Sequence, residues 1–497
     1  MKAGGEAAVD GQYPTLLARL IAQSGRTQDE EIDGFDQCAR AHKLGASLSL
    51  RTLRRWLGGH VTTQPRPSMR RAAQLYWGYP MSDLLSPPPA AGVGVPGADM
   101  AQTPSTSPQP AVSEPSLLSG GDGPHDQQVL LAPPGQFFAG TTVSVRVFPA
   151  VDDGRILALV PTGYAQDPFL HRPRRGLVIA AASTSEQVRL FGMDTRQVRR
   201  RLAVTSTGSR LVMPHAYLID EVTLGILWAV ANLDEALLND DALLAGCRQE
   251  LSYFDALSRS AGSKDIAADL TAVSAMWLGS EFCARHILRN LDTTSQPPVF
   301  WTREQRGEEA STWLLFTHKF DYLRILADRY PSGMARTFCV PAEAVARSPM
   351  AERTLLLLAA ALMESFGIRI QVTPEPEYAA MDGFALDPAH RAIVANWVGA
   401  EGMWHVDVTA SRPILREYSD AFAHAGAHSA AAGNTPPTRL RELAEYLGIS
   451  WTATARRCAQ LAEYGLSGLA APRSRLLSLD GLERACRFLG SLHAITE

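Results

Sequence analysis

Residues Ser49 to Gly59, Ser-Leu-Arg-Thr-Leu-Arg-Arg-Trp-Leu-Gly-Gly, combine a helix cap, an apolar stripe and a row of long donors. A helix that enters the DNA major groove needs this layout, with its inward face docked on neighbouring helices and its outward face free to reach. Ser49 can cap the helix, Gly58 and Gly59 can end it, and Leu50, Leu53 and Leu57 share one face at i, i+3 and i+7. Arg51, Thr52, Arg54 and Arg55 then lie opposite, where guanidiniums can take phosphates or, bidentately, guanine. Trp56 reads as a packing residue. Between Asp36 and Asp83 stand eight Lys or Arg residues and no acid. Arg66, Arg70 and Arg71 in that window join the candidate DNA contacts.

A second segment, Thr438 to Gly465, has a more regular helix-turn-helix spacing. Leu440, Leu443 and Ala444 precede a turn at Leu447-Gly448-Ile449-Ser450, and Thr454, Ala455, Cys458 and Leu461 continue at helical intervals. Trp451, Thr452, Arg456 and Arg457 are expected to face outward there. Glu442, Glu445 and Glu463 nearly balance the local arginines, so a helical interaction module is the competing reading.

The rest of the chain offers weaker chemistry. Cys283 and His286 are a usable i, i+3 metal pair, but a structural zinc needs four ligands and no second Cys/His pair sits nearby. His318-Lys319 with Asp321 is similar to the phospholipase D superfamily pattern H-x-K-x-x-x-x-D, and GFALDPAHRAIVANWV resembles the strand after it. The gap between His and Lys is missing, so nucleophile and phosphate clamp would not share a strand face. Residues Trp301 to Glu309 (WTREQRGEE) read as a charge-dense helix start with a solvated face beside Trp313. No P-loop, GxGxxG or GxSxG motif occurs. No catalytic residue, metal or cofactor is assigned.

These segments need elements to hold them. The 497 residues suffice for about three domains, and a net charge of -4 excludes an indiscriminate polycation. The six cysteines are widely spaced, as free thiols in a reducing cytosol would be. No signal peptide or run of about 20 apolar residues appears, so a cytoplasmic protein with no membrane partner is expected. Residues 1–85 read as an all-α helix-turn-helix domain and 86–125 as a disordered Pro/Ser/Gly linker. Residues 126–433 read as mixed α/β, with a hairpin turning at Asp153-Gly154, helices over 217–330 and alternating strands and helices over 336–425. Residues 434–497 read as a C-terminal helix-turn-helix domain. The fold class is therefore multidomain α+β/α/β.

The block RTLRRWLGG, then PRPSMRRAAQLYWGYPMSDLL, resembles the N-terminal domain of actinobacterial XRE-type (λ-repressor-like) regulators over about the first 85 residues. It departs from them in an acidic insertion, Gln28 to Asp36, where the helix before the turn should start. LIDEVTLGILWAVANLDEALL, VSAMWLGSEFCARHILRN and VANWV followed by WHVDVT resemble an uncharacterised region of the same group. The resemblance implies a transcriptional regulator that binds double-stranded DNA as a homodimer, with a middle region that dimerises or senses an unidentified small-molecule effector. The competing readings are an active or degenerate phosphodiesterase- or nuclease-like α/β domain, and an antitoxin-like interaction scaffold.

Overall fold

The computed structural model describes residues 13–24, 27–41, 44–59, 65–77, 81–86, 116–118, 128–183, 188–204, 210–252, 260–291, 296–331, 333–396 and 403–493. They divide into two compact units, Met1–Thr103 with Asp269–Thr271, and Pro104–Ala268 with Ala272–Glu497. Among the described residues no helix is long and apolar enough to cross a membrane.

The first unit is all-α: α1 (Leu16–Ser24), α2 (Gln28–Ala41), α3 (Leu50–Leu57), α4 (Pro67–Trp77) and α5 (Met81–Leu84). Leu17, Phe35, Leu53, Trp56, Ala72, Ala73 and Leu84 form its fully buried core. The acidic insertion is itself α2, because Ile32, Phe35 and Ala39 give it an apolar face packed on that core. Three acids in its first turn favour the helix N-terminus electrostatically. Gly34 lets α2 approach α4, since a Cβ there would sit 2.2 Å from the Tyr76 hydroxyl.

The second unit holds two seven-stranded sheets. In the first, β1 (Ser116–Leu118), β2 (Gln128–Ala132), β3 (Thr141–Asp152), β4 (Ile156–Leu159), β5 (Gly176–Ser183), β6 (Val188–Asp194) and β7 (Arg210–Met213) run in the order β1-β2-β3-β4-β7, and β5 pairs with both β3 and β6. The expected hairpin is β3–β4, with Gly154 at φ +70° in its turn. Helix α6 (Thr195–Val204) follows β6. Of the expected linker, 87–115 and 119–125 lie outside the described residues, while Ser116–Leu118 pair antiparallel with β2 and so are strand.

Then come α7 (Glu221–Asn239), α8 (Asp241–Ser252), β8 (Ser260–Ser263), α9 (Ala272–Leu291), β9 (Val299–Thr302), α10 (Gly307–Leu315), α11 (Thr317–Arg329) and β10 (Met334–Cys339). They are followed by α12 (Ala342–Arg347), α13 (Met350–Ser365), β11 (Ile368–Thr373), β12 (Gly383–Asp387), β13 (Arg391–Asn396), β14 (Met403–Thr409) and α14 (Arg412–Ala427). The second sheet runs β11-β10-β9-β12-β13-β14-β8, with β9, β10 and β11 parallel. Parallel neighbours need crossovers, which α10–α11 and α12–α13 supply. Leu355–Met363 of helix α13 are one unbroken apolar run because the helix is buried all round, from Ala351 to Glu364 with Arg353 excepted.

Helices α15 (Pro436–Tyr446), α16 (Trp451–Tyr464), α17 (Ser467–Ala470) and α18 (Asp480–His493) close the chain. The expected boundary at residue 434 is not one: these helices are part of the second unit. Arg439 grips Glu364 of α13 through two 2.7 Å bonds, and both side chains are buried. Arg473 and Arg175 share Asp194, and Asp234 of α7 accepts from the Arg473 and Ser474 backbone N–H groups at 2.9 and 3.0 Å. Leu477 bridges to Phe316. Buried charges of this kind need such partners, and the partners lie far away in sequence.

Candidate nucleic-acid interface

Helix α3 begins at Ser49, whose hydroxyl accepts from the Thr52 N–H at 3.2 Å and bonds the Thr52 hydroxyl at 2.9 Å. Its inward side is Leu53 and Trp56, both fully buried, flanked by half-buried Leu50 and Leu57. Trp56 meets Phe35 and Trp77 edge-on at 6.5 and 6.4 Å, so this helix is anchored by aromatic packing. Emptying that site with Trp56→Ala costs about 3–5 kcal/mol.

Arg51, Arg54 and Arg55 are exposed on the opposite side, as the spacing predicts, and Thr52 is half-buried with its hydroxyl engaged in the cap. Arg54 Nε donates to Gln28 Oε1 of α2 at 3.1 Å, which pre-aims one guanidinium. Arg66 and Arg71 are exposed at and within the start of α4, while Arg70 is half-buried.

Two acids of α2, Asp36 and Glu31, are turned to internal use. Asp36 Oδ1 accepts from the Leu48 N–H at 2.8 Å and Oδ2 from the Ser47 hydroxyl at 2.9 Å, fixing the turn that delivers α3. Buried Glu31 accepts from the Trp77 indole N–H at 3.1 Å. Neither role is visible in spacing, because each carboxylate finds its partner across the fold.

The C-terminal helix pair forms as expected, with Gly448 at φ +67° in the turn. Thr452 and Arg456 are exposed and Trp451 is half-buried, within cation–π range of Arg441 at 6.0 Å. Arg457 is not outward. It is buried, paired with Asp220 at the cap of α7, and donates to the Ala216 and Leu218 carbonyls at 2.9 and 3.2 Å. Thr454 and Leu461, at i−3 and i+4, already place that position on the core face.

The segment Trp301 to Glu309 also departs from expectation. Residues 299–302 are strand β9, and Glu304 and Glu308 are buried rather than solvated. Glu308 accepts from the backbone N–H groups of Gln136, Phe137 and Phe138 at 3.1, 2.7 and 2.9 Å, yet burial still raises its carboxyl above the usual range. Burial also pushes Glu309 up to about 7, with Arg306 opposing and Glu304 adding to the rise.

His318 and Lys319 open helix α11, not a strand. His318 Nε2 bonds Ser280 Oγ at 2.7 Å, and burial, with Lys319 beside it, holds the imidazole well below its ordinary value, so it is neutral. Lys319 Nζ donates to Glu304 Oε1 at 2.6 Å and Thr312 Oγ1 at 2.8 Å, and lies 4.4 Å from the Trp313 ring centre. Next to it runs a cavity of about 40 Å³ whose wall includes Phe300, Trp313, Tyr322, Arg336 and Ala385.

Cys283 is buried, with burial raising its thiol well above the usual range, and His286 packs on Phe282. Among the described residues, one group offers three metal-ligand atoms within 4.8 Å of one another: Glu375, His424 and His428. His424 Nε2 and Glu375 Oε2 already bond each other at 2.7 Å, and three ligands fall short of a structural zinc set. Comparison with known proteins finds no family model, no curated protein and no solved structure that matches the chain.

Proposed function

We propose that this chain is a cytoplasmic transcriptional regulator that reads double-stranded DNA with helix α3, and we assign it no catalytic reaction. The observation that carries the reading is the division of α3 into a buried Leu53/Trp56 side and an exposed Arg51/Arg54/Arg55 side, in a unit where Asp36 and Glu31 of α2 are bonded inward. Guanidiniums held by a short stiff helix supply both phosphate attraction and bidentate base contacts. Arg66 and Arg71 add to the phosphate contacts. Helix α16 is left out of the interface, because Arg457 is committed to Asp220. The second unit takes the sensing and dimerising roles, and a two-fold dimer would present paired recognition helices to paired half-sites.

The test is genome-wide occupancy of the tagged full chain against the Arg54→Ala/Arg55→Ala variant, with folding checked by circular dichroism. Discrete peaks that vanish in the variant are expected. Equal occupancy by both proteins overturns the assignment of α3.

A further inference from the structure

The cavity in the second unit is built by register. Pairing sets Arg336 of β10 beside Phe300 of β9, and Phe300 beside Ala385 of β12, so the three share one face of the sheet. Gly383 and Ala395 are paired nearby, and the small residues on β12 and β13 leave the space that larger strand residues would fill. Helices α9, α10 and α11 close the other side with Ser280, Ala284, Trp313, Lys319 and Tyr322.

The wall is rich in donors that lack a partner. Arg336 is 4% exposed, and its guanidinium lies 4.6 Å from the Phe300 ring centre and 4.7 Å from that of Trp313. Nη1 is used on Thr302 Oγ1 at 2.8 Å and the guanidinium also meets the Tyr322 hydroxyl, but Nε and Nη2 lack a partner of good hydrogen-bond geometry, as does the buried Trp313 indole N–H. Nε and Nη2 form the side of a guanidinium that holds a carboxylate through two parallel bonds. Tyr322, beside this guanidinium, has its phenol pushed up to about 12 by burial and so stays neutral. Charge points the same way below about pH 7, where Glu309, the other carboxylate acting on Lys319, keeps its proton and the two buried cations, Lys319 and Arg336, face one ionised carboxylate, Glu304.

We propose that this cavity binds a small monocarboxylate, gripped side-on by Arg336 Nε and Nη2 with its short apolar end toward Phe300 and Ala385. The volume is that of about three water molecules, which limits the ligand to a few carbon atoms. A phosphate dianion would bring one charge too many. Binding at this site does not depend on the DNA reading; only its use as an effector site does.

The experiment is calorimetric titration of the full chain, without DNA, with sodium formate, acetate and propionate, against sodium chloride and inorganic phosphate at matched ionic strength. Saturable binding of at least one carboxylate is expected, with none for chloride or phosphate. Arg336→Lys keeps the charge but loses the fork, and should weaken binding about tenfold or more. Ala385→Leu fills the cavity and should abolish binding while leaving the charges in place. Absence of saturable carboxylate binding up to about 50 mM, far above a millimolar dissociation constant, overturns the proposal. So does phosphate binding of equal strength, or an Ala385→Leu chain that folds and binds as the wild type does.

Discussion

The Arg439–Glu364 pair measures how far the last sixty residues belong to the second unit. Both side chains are almost fully buried, the two bonds between them are 2.7 Å long, and Glu364 Oε1 also accepts from the Ile370 N–H at 2.9 Å. Removing one partner of such a pair leaves an uncompensated buried charge and costs about 3–5 kcal/mol. Glu364→Leu should be the worse of the two single changes, because it also strands the Ile370 N–H, adding about 1–3 kcal/mol. Arg439→Met loses in addition only the 3.0 Å bond to the Gly433 carbonyl. In the double variant no charge is stranded, so its cost should fall below the sum of the singles by about 3 kcal/mol or more. Urea unfolding of the four proteins, followed by tryptophan fluorescence, gives the cycle. Additive costs, or a Glu364→Leu loss below about 1 kcal/mol, would refute the reasoning, since the C-terminal helices would then be only loosely attached.

Other consequences can be checked singly. Asp36→Ala should destabilise the first unit by about 1–2 kcal/mol and weaken DNA binding, although removing an acid near arginines would by charge alone tighten it; anisotropy with a duplex fragment separates the two signs. Gly448→Ala puts a side chain at φ +67° and should cost about 1–2 kcal/mol in thermal unfolding. Glu309 keeps its proton in the fold up to about 7, so its contribution is fully present below the unfolded value of about 4.3 and is lost as pH rises through about 7. The melting temperature of Glu309→Gln, taken relative to wild type, should therefore climb with pH between those limits and level off above them.

Local pattern carried α3 and failed where partners are remote. The Ser49 cap, the Leu53/Trp56 side and the outward arginines follow from helical spacing within eleven residues, and the Leu447–Ser450 turn is equally local. Arg457 shares the core face with Thr454 and Leu461 by the same count, but the reason an arginine can stand there, its partner Asp220, lies 237 residues earlier. The acidic run of α2 looked like an insertion because charge hid the Ile32/Phe35/Ala39 stripe. Trp301 to Glu309 reads as solvated for the same reason, yet its buried acids Glu304 and Glu308 are satisfied by Lys319 and by the backbone of Gln136 to Phe138. The Arg336 cavity left one trace in sequence, a charge at an inward position of an apolar strand. Its meaning depends on Phe300 and Ala385, which only the sheet register brings beside it.

The most direct test of DNA reading by α3 is the salt dependence of duplex binding by the wild-type chain and by Arg51→Ala/Arg54→Ala/Arg55→Ala. Each phosphate contact contributes about 0.9 to the slope of log K against log salt, so the triple variant should lose affinity and about 2–3 of that slope. A folded triple variant with unchanged affinity and unchanged slope would contradict the account.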